Sequence, residues 1–311
     1  MSISSVGRRL MAIAAAAAMA AMGLTLTAAV QAVPAAAAVT VTSHFIWTAT
    51  SSNIVDFVSL IDNDATNGEP DALLFVTPTY DPGGICGCVV DTAPIAVIWA
   101  GNDNEWAIAN EDLSDMPVGA SFNVLVVEKP TKDAFVATAT AAGTTANGTT
   151  INAKAINGKG NALLQVTQSM PDGLGSILNS HPIGVVYGLG TSGNEWAVQN
   201  LDNATMPVNA KFNVLVGGKP SNGGKAVLLT GTSGNTLGSS TFISNAETTG
   251  NPNTVIFDTE NADPSLNFGT GDPVQTGVIY DTSTDVAAVI NEGGASMPTT
   301  THYFNLLVFP S

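Results

Sequence analysis

Beyond residue 9 the chain has no arginine, and seven lysines are its whole remaining positive charge against 25 acidic residues. So few cations offer little for counterion release, so a nucleic-acid or anionic-membrane partner is not expected. Cysteine is nearly missing as well. Cys86 and Cys88, the only two, form Cys-Gly-Cys and cannot staple a chain of 311 residues, which must rest on packed cores. In an oxidising compartment they close a tight local disulfide or pair between chains. Metal binding would need further ligands of matching spacing, and none lies nearby. Histidine is limited to His44, His181 and His302. There is no Gly-x-Ser-x-Gly elbow, zinc-protease helix, phosphate loop or dinucleotide fingerprint. Nothing in this inventory requires catalysis.

What is present begins with a leader. Arg8 and Arg9 precede an Ala-rich apolar run from Leu10 to about Val30, and small residues offer cleavage after Val30-Gln31-Ala32 or Ala36-Ala37-Ala38. Residues 1–38 are therefore expected to be a secretory signal peptide, and the protein to be secreted. No second apolar span of about 18 residues follows. Cleavage removes both arginines from the nine basic residues, leaving seven Lys against 25 acids and a formal charge of −18. The acids crowd the two ends of the mature chain, which reads as solubility for an exported protein.

The mature chain states one pattern three times. Asn104-Glu105-Trp106-Ala107-Ile108-Ala109-Asn110, Met116-Pro117 and Phe122-Asn123-Val124-Leu125-Val126 return as Asn194 to Asn200, Met206-Pro207 and Phe212 to Val216. They return again, changed, as Val286 to Asn291, Met297-Pro298 and Phe304 to Val308. A spacing of 90 and then 91 residues between the methionines is a small domain copied in tandem. The copies run over 39–132, 133–222 and 223–311. Within each, short apolar or alternating runs rich in Val and Thr are separated by Gly, Pro, Asn and Asp, and no helical period lasts three turns. The fold class is all-β: three tandem β-sandwich-like repeats of six to seven antiparallel strands each. Short polar joins such as Lys129-Pro130-Thr131-Lys132 and residues 217–224 suit a bent or rod-like array of roughly 90–100 Å. The alternative is one closed structure with all copies packed around an axis.

The recurring residues read as construction. Asn123, Asn213 and Asn305 sit mid-strand, and Asn110, Asn200 and Asn291 lie six residues before each Met-Pro. Such amides tie down the backbone of an adjacent loop, since a buried amide must be paired. Met116, Met206 and Met297, held extended by the following proline, plug the end of each core. Trp106 and Trp196 occupy matching positions, with Ala287 in the third copy. Together with Tyr80 they are the candidate ligand-binding aromatics, the competing reading being ordinary core. Asp62, Asp64 and Asp71 are the candidate metal ligands: 62, 64 and 66 alternate as in a calcium loop, but glycine comes late and no glutamate closes the frame. No other cofactor is expected.

Trp-Ala-Ile-x-Asn, Met-Pro and Phe-Asn-Val-Leu-Val in copies of some 90 residues resemble a domain of unknown function found, often in tandem, in secreted bacterial proteins. The resemblance spans nearly the whole mature chain and departs in the third copy, where the Trp is lost. It implies export and repetition and transfers no functional residue. The expected role is a non-catalytic structural or adhesive component at or outside the cell surface, its partner an extracellular protein or glycan. A glycan-binding protein using surface aromatics and a secreted hydrolase of unrecognised type are the alternatives.

Overall fold

The computed structural model describes residues 31–32, 41, 43–189, 193–217, 223–263 and 271–310. The expected leader over 1–38, apart from Gln31–Ala32, and most of the second join lie outside them. Gln31–Ala32 is extended against Leu228 and Val227.

Each copy supplies six strands of four residues or more. Copy 1 has β1 (Ser43–Thr48), β2 (Val58–Ile61), β3 (Leu73–Pro78), β4 (Ile95–Ala100), β5 (Glu105–Asn110) and β6 (Ser121–Val127). Copy 2 has β7 (Ala134–Thr138), β8 (Gly148–Ile151), β9 (Leu164–Met170), β10 (Ile183–Leu189), β11 (Glu195–Asn200) and β12 (Lys211–Val216). Copy 3 has β13 (Lys225–Gly231), β14 (Ser240–Ile243), β15 (Val255–Asp263), β16 (Thr276–Asp281), β17 (Val286–Asn291) and β18 (His302–Phe309). In every copy an antiparallel inner sheet (β1-β6-β3, β7-β12-β9, β13-β18-β15) faces an antiparallel outer sheet (β2-β5-β4, β8-β11-β10, β14-β17-β16).

Alternation builds a sandwich core between them. In copy 1, Leu74, Val76, Phe122, Val124 and Val126 of the inner sheet meet Ile61, Ile95, Val97, Trp106 and Ile108 of the outer one, with Met116 at the end. Copy 2 repeats this around Trp196, Met206 and Phe212, and copy 3 around Tyr280, Met297 and Phe304. The methionines sit where the sequence puts them.

The copies do not form the expected array of separate modules. Each outer sheet continues into the next copy's inner sheet. β4 runs parallel to β9 (Ala96 opposite Gln168, Ile98 opposite Met170), and β10 runs parallel to β15 (Gly184 opposite Glu260). The ring closes where β16 meets the end of β3, through the parallel bridge of Thr79 with Val278 and the Tyr80 N–H donating to the Val278 carbonyl at 2.8 Å. Pro78 stands where Gln168 and Glu260 stand in the other copies; it has no N–H to give, so this third ladder is short. The inner sheets are thus buried on both faces. Their second faces form a shared central core of Leu73, Phe75, Leu125, Val127, Leu215, Phe257, Leu307 and Phe309. This is why Leu73-Leu74-Phe75-Val76 reads as continuous apolar sequence instead of alternating.

The junction edges need small residues. At Gly184 a Cβ would lie 2.9 Å from Leu201 Cδ2 and 3.0 Å from the Glu260 carbonyl oxygen. Gly184→Val should therefore wedge this junction, costing about 1–3 kcal/mol. Hydrogen exchange is expected to speed up at β10 and β15 amides more than at those of β4 and β9; equal change at both would show that the contact does not matter.

Candidate functional site

Six recurring asparagines are tied to backbone, in two ways. Asn110, Asn200 and Asn291 each end a strand and donate to the carbonyl four residues on: Ser114 at 3.2 Å, Ala204 at 3.2 Å and Ala295 at 3.1 Å. Asn123, Asn213 and Asn305 reach not an adjacent loop but another copy. Asn213 donates to the Leu74 carbonyl at 2.9 Å, Asn305 to Leu164 at 3.1 Å and Asn123 to Ile256 at 2.8 Å, a cycle of equivalent bonds running one way around the ring. A second cycle runs the other way. The backbone N–H groups of Val76, Val166 and Asp258 donate to the hydroxyls of Thr167, Thr259 and Thr77, each at 3.0 Å. These threonines were missed in the sequence, though a signal existed: each stands 46 residues before its asparagine, directly opposite it in the ladder.

The candidate aromatics are inside. Trp106 and Trp196 are 1% and 0% exposed, and their indole N–H groups donate to the Glu69 and Lys159 carbonyls at 2.9 and 3.0 Å. Trp99 and Tyr187 lean on them, with ring centres 5.6 and 5.4 Å away. Tyr80 is buried against Cys88 and Phe242. None of the three presents a ring to a surface ligand. Alternation favoured the core, because these tryptophans share a strand face with apolar neighbours.

The candidate calcium ligands are not gathered either. Asp62 and Asp64 are exposed, as is Asp71, and Asp62 accepts a hydrogen bond from Asn67 at 2.8 Å. Copy 2 builds the same turn with Asn152 in place of Asp62, accepting from Asn157 at 2.8 Å, so the loop needs an oxygen there and no charge. Among the described residues no three His, Cys, Asp or Glu side chains form a metal-holding group. The histidines are equally dispersed. His44 stacks on Phe309, His181 faces Asp202 at 2.7 Å, and His302 shares a hydrogen bond with the Thr241 hydroxyl at 2.7 Å. That last hydroxyl–imidazole pair has the geometry of a nucleophile and base, but both residues are sealed in the core.

Cys86 and Cys88 are joined in a disulfide. Their loop lies across the outer face of copy 3, where Tyr80 and Cys88 pack on Phe242, Val286, Ala288 and Ile290. The equivalent face of copy 1 carries a thinner cover. There Met170 packs on Ala96, Ile98, Ala107 and Ala109, and beyond it lies a cleft of about 610 Å³. Its floor is Phe57, Val58, Leu60 and Ile98, one wall is the copy 2 loop Pro171 to Leu174, and Asp56, Asp103 and Asp172 stand at its rim. Leu174 is 77% exposed. The corresponding face of copy 2 has Gly148, Thr150 and Gln199 in place of Val58, Leu60 and Ala109, and so lacks an apolar floor. A cleft of this volume is the size of ordinary ligand sites, and an apolar floor under acidic groups suits an apolar body carrying neutral or positive charge.

A second cavity lies inside the ring at its closed junctions. It is small, about 50 Å³, and is lined by Thr77, Thr167 and Thr259 together with Gln168, Asp258, Glu260 and Thr276. Desolvation raises the Asp258 and Glu260 carboxyls above their ordinary range, Glu260 strongly, with the neighbouring acids Asp258 and Asp272 pushing Glu260 further. Burial likewise lifts Glu111 and Glu292 to about 8 and Asp81 to about 7. The acids that composition assigns to solubility are thus in part interior: Asp81, Asp91, Glu111, Asp258, Glu260, Asp272 and Glu292 are all buried.

Comparison with curated proteins and with solved structures gives no match for this chain. A family model does match, three times in overlapping register, over residues 31–126, 96–216 and 190–308. Its overlaps fall on β4 to β6 and on β11 and β12, the last strands of copies 1 and 2. The chain therefore belongs to the family described as domain of unknown function DUF7452, present here as three tandem copies.

Proposed function

We propose that this protein is an exported, non-catalytic component that works outside the cell as a structural or adhesive part. The observation that carries the reading is where the repetition goes. The asparagines and methionines common to all three copies are buried and join strands, loops or copies, so triplication here supplies a rigid ring and not three copies of a reactive site. The glycan alternative loses support with the burial of Trp106, Trp196 and Tyr80. The hydrolase alternative gains raised carboxyls, as a catalytic cleft would have them, but the cavity they line admits a few waters and no glycoside or peptide. Adhesion would use the cleft between copies 1 and 2, whose occupant is an extracellular protein segment with an apolar anchor and basic flanks, complementary to Asp56, Asp103 and a strongly acidic chain.

The full chain, expressed in a bacterial host with the general export route, is expected in the exported fraction with its N-terminus just after Ala32 or Ala38. Beads coated with that mature protein should retain basic, apolar-anchored peptides, and Leu174→Asp, a change at an exposed wall residue, should cut retention at least about tenfold. Recovery of the uncleaved chain in the cytoplasm would remove the export reading. Turnover of glycoside, ester or peptide substrates would remove the non-catalytic one.

A further inference from the structure

The three copies close the inside of the ring with equivalent residues, and one copy departs. At matching positions copy 1 has Val76, Pro78 and Ile95, and copy 2 has Val166, Gln168 and Ile183. Copy 3 has Asp258, Glu260 and Thr276. The sister copies demonstrate that the fold is satisfied here without any carboxylate. Copy 3 instead buries two on alternate residues of one strand, so both look to the same side of β15. Burying unpaired carboxylates is strongly unfavourable.

The surroundings do not neutralise them. Asp258 accepts from the Thr276 hydroxyl at 2.7 Å, and Glu260 accepts from the Asp272 N–H at 2.5 Å. The other oxygen of Glu260, fully buried, has no hydrogen-bond partner. The groups acting on both carboxyls are hydroxyls, backbone N–H groups and other acids, with no lysine among them. Beside them lies a polar cavity with room for a few waters, ringed by the three threonines.

We infer that this cavity holds one hard divalent cation of the calcium class, bound by Asp258 and Glu260, with retained waters completing its shell. Calcium accepts six to eight oxygens in flexible arrangements and needs only part of them as carboxylates. A cation here would sit where the inner strands of all three copies meet. The site is distinct from the exposed Asp62 loop and does not depend on the proposed adhesive role.

The test compares the mature chain with D258V/E260Q, which installs the residues that copy 2 carries at these positions. After chelation, at pH 8, millimolar calcium is expected to raise the Tm of the wild type by about 5 °C or more and to bind once per chain in equilibrium dialysis. The double variant should be more stable than the wild type in chelator and unmoved by calcium. E260Q alone, the milder change, should lose most of the calcium response. A wild type that does not respond, or variants that respond as fully as the wild type, would overturn the assignment.

Discussion

Phe257→Ala should lower the stability of the entire ring by about 3–5 kcal/mol, the usual cost of emptying a buried aromatic site, and should do so in one transition. Phe257 belongs to copy 3, but its side chain lies in the central core with Phe75, Leu125 and Leu215, and its ring meets Phe309 edge-on at 5.9 Å. A side chain that touches all three copies cannot loosen one alone. The Ile256 and Asp258 backbones on either side of it also bond to copy 1, through Asn123 and Thr77. Hydrogen exchange through a urea titration of the variant checks this copy by copy: peptides from β3, β9 and β15 should lose protection together and at lower urea than in the wild type. Copies 1 and 2 keeping their protection while copy 3 exchanges would mean that the sandwiches are independent after all.

The sequence carried the sandwich but not its closure, for reasons that lie in particular residues. Strand periodicity, the Met-Pro turns and the inward Phe122, Val124 and Val126 are local signals, and each appears where alternation puts it. The unbroken Leu73-Leu74-Phe75-Val76 run says that both faces are covered without saying by what. Its second cover comes from Phe257 and Leu307, far along the chain. The asparagines are legible as structural ties, but their partners lie about 140 residues away in other copies, and no local rule connects Asn213 to Leu74. The cleft was illegible for another reason. It exists because two equivalent faces are covered differently, by Tyr80 and the disulfide loop on copy 3 and by Met170 with the short loop after it on copy 1. Loop conformation decides that, and the repeat pattern does not encode it. Net charge misled in the same way, since composition counts Glu111 and Glu292 as surface until a fold places them inside.

Those two glutamates are among the buried acids that make the ring less stable as pH rises. Burial holds both carboxyls near 8 in the folded chain, against an ordinary value of 4.5. Between those values the folded state keeps protons that the unfolded chain releases. Their stabilising contribution is therefore complete below about pH 4.5, declines as pH rises and is gone above about 8. Each pH unit of that window is worth about 1.4 kcal/mol per group, so on the order of 3–5 kcal/mol per glutamate is lost between pH 5 and pH 8. Glu111 is the cleaner case: its shift comes from burial, moderated by hydrogen bonds from the Asn179 N–H at 3.2 Å and from Gln168, with no charged neighbour contributing. Glu292 is raised further by Asp91 and Asp258. Glu111→Gln with Glu292→Gln keeps an acceptor oxygen at both places and removes the proton. Urea midpoints measured in chelator should fall steeply from pH 5 to pH 8 in the wild type and much less in the double variant, which becomes the more stable protein at pH 8. A wild type whose stability rises over that interval would mean that these carboxyls are ionised and paired in the folded chain, which contradicts their burial without a cation.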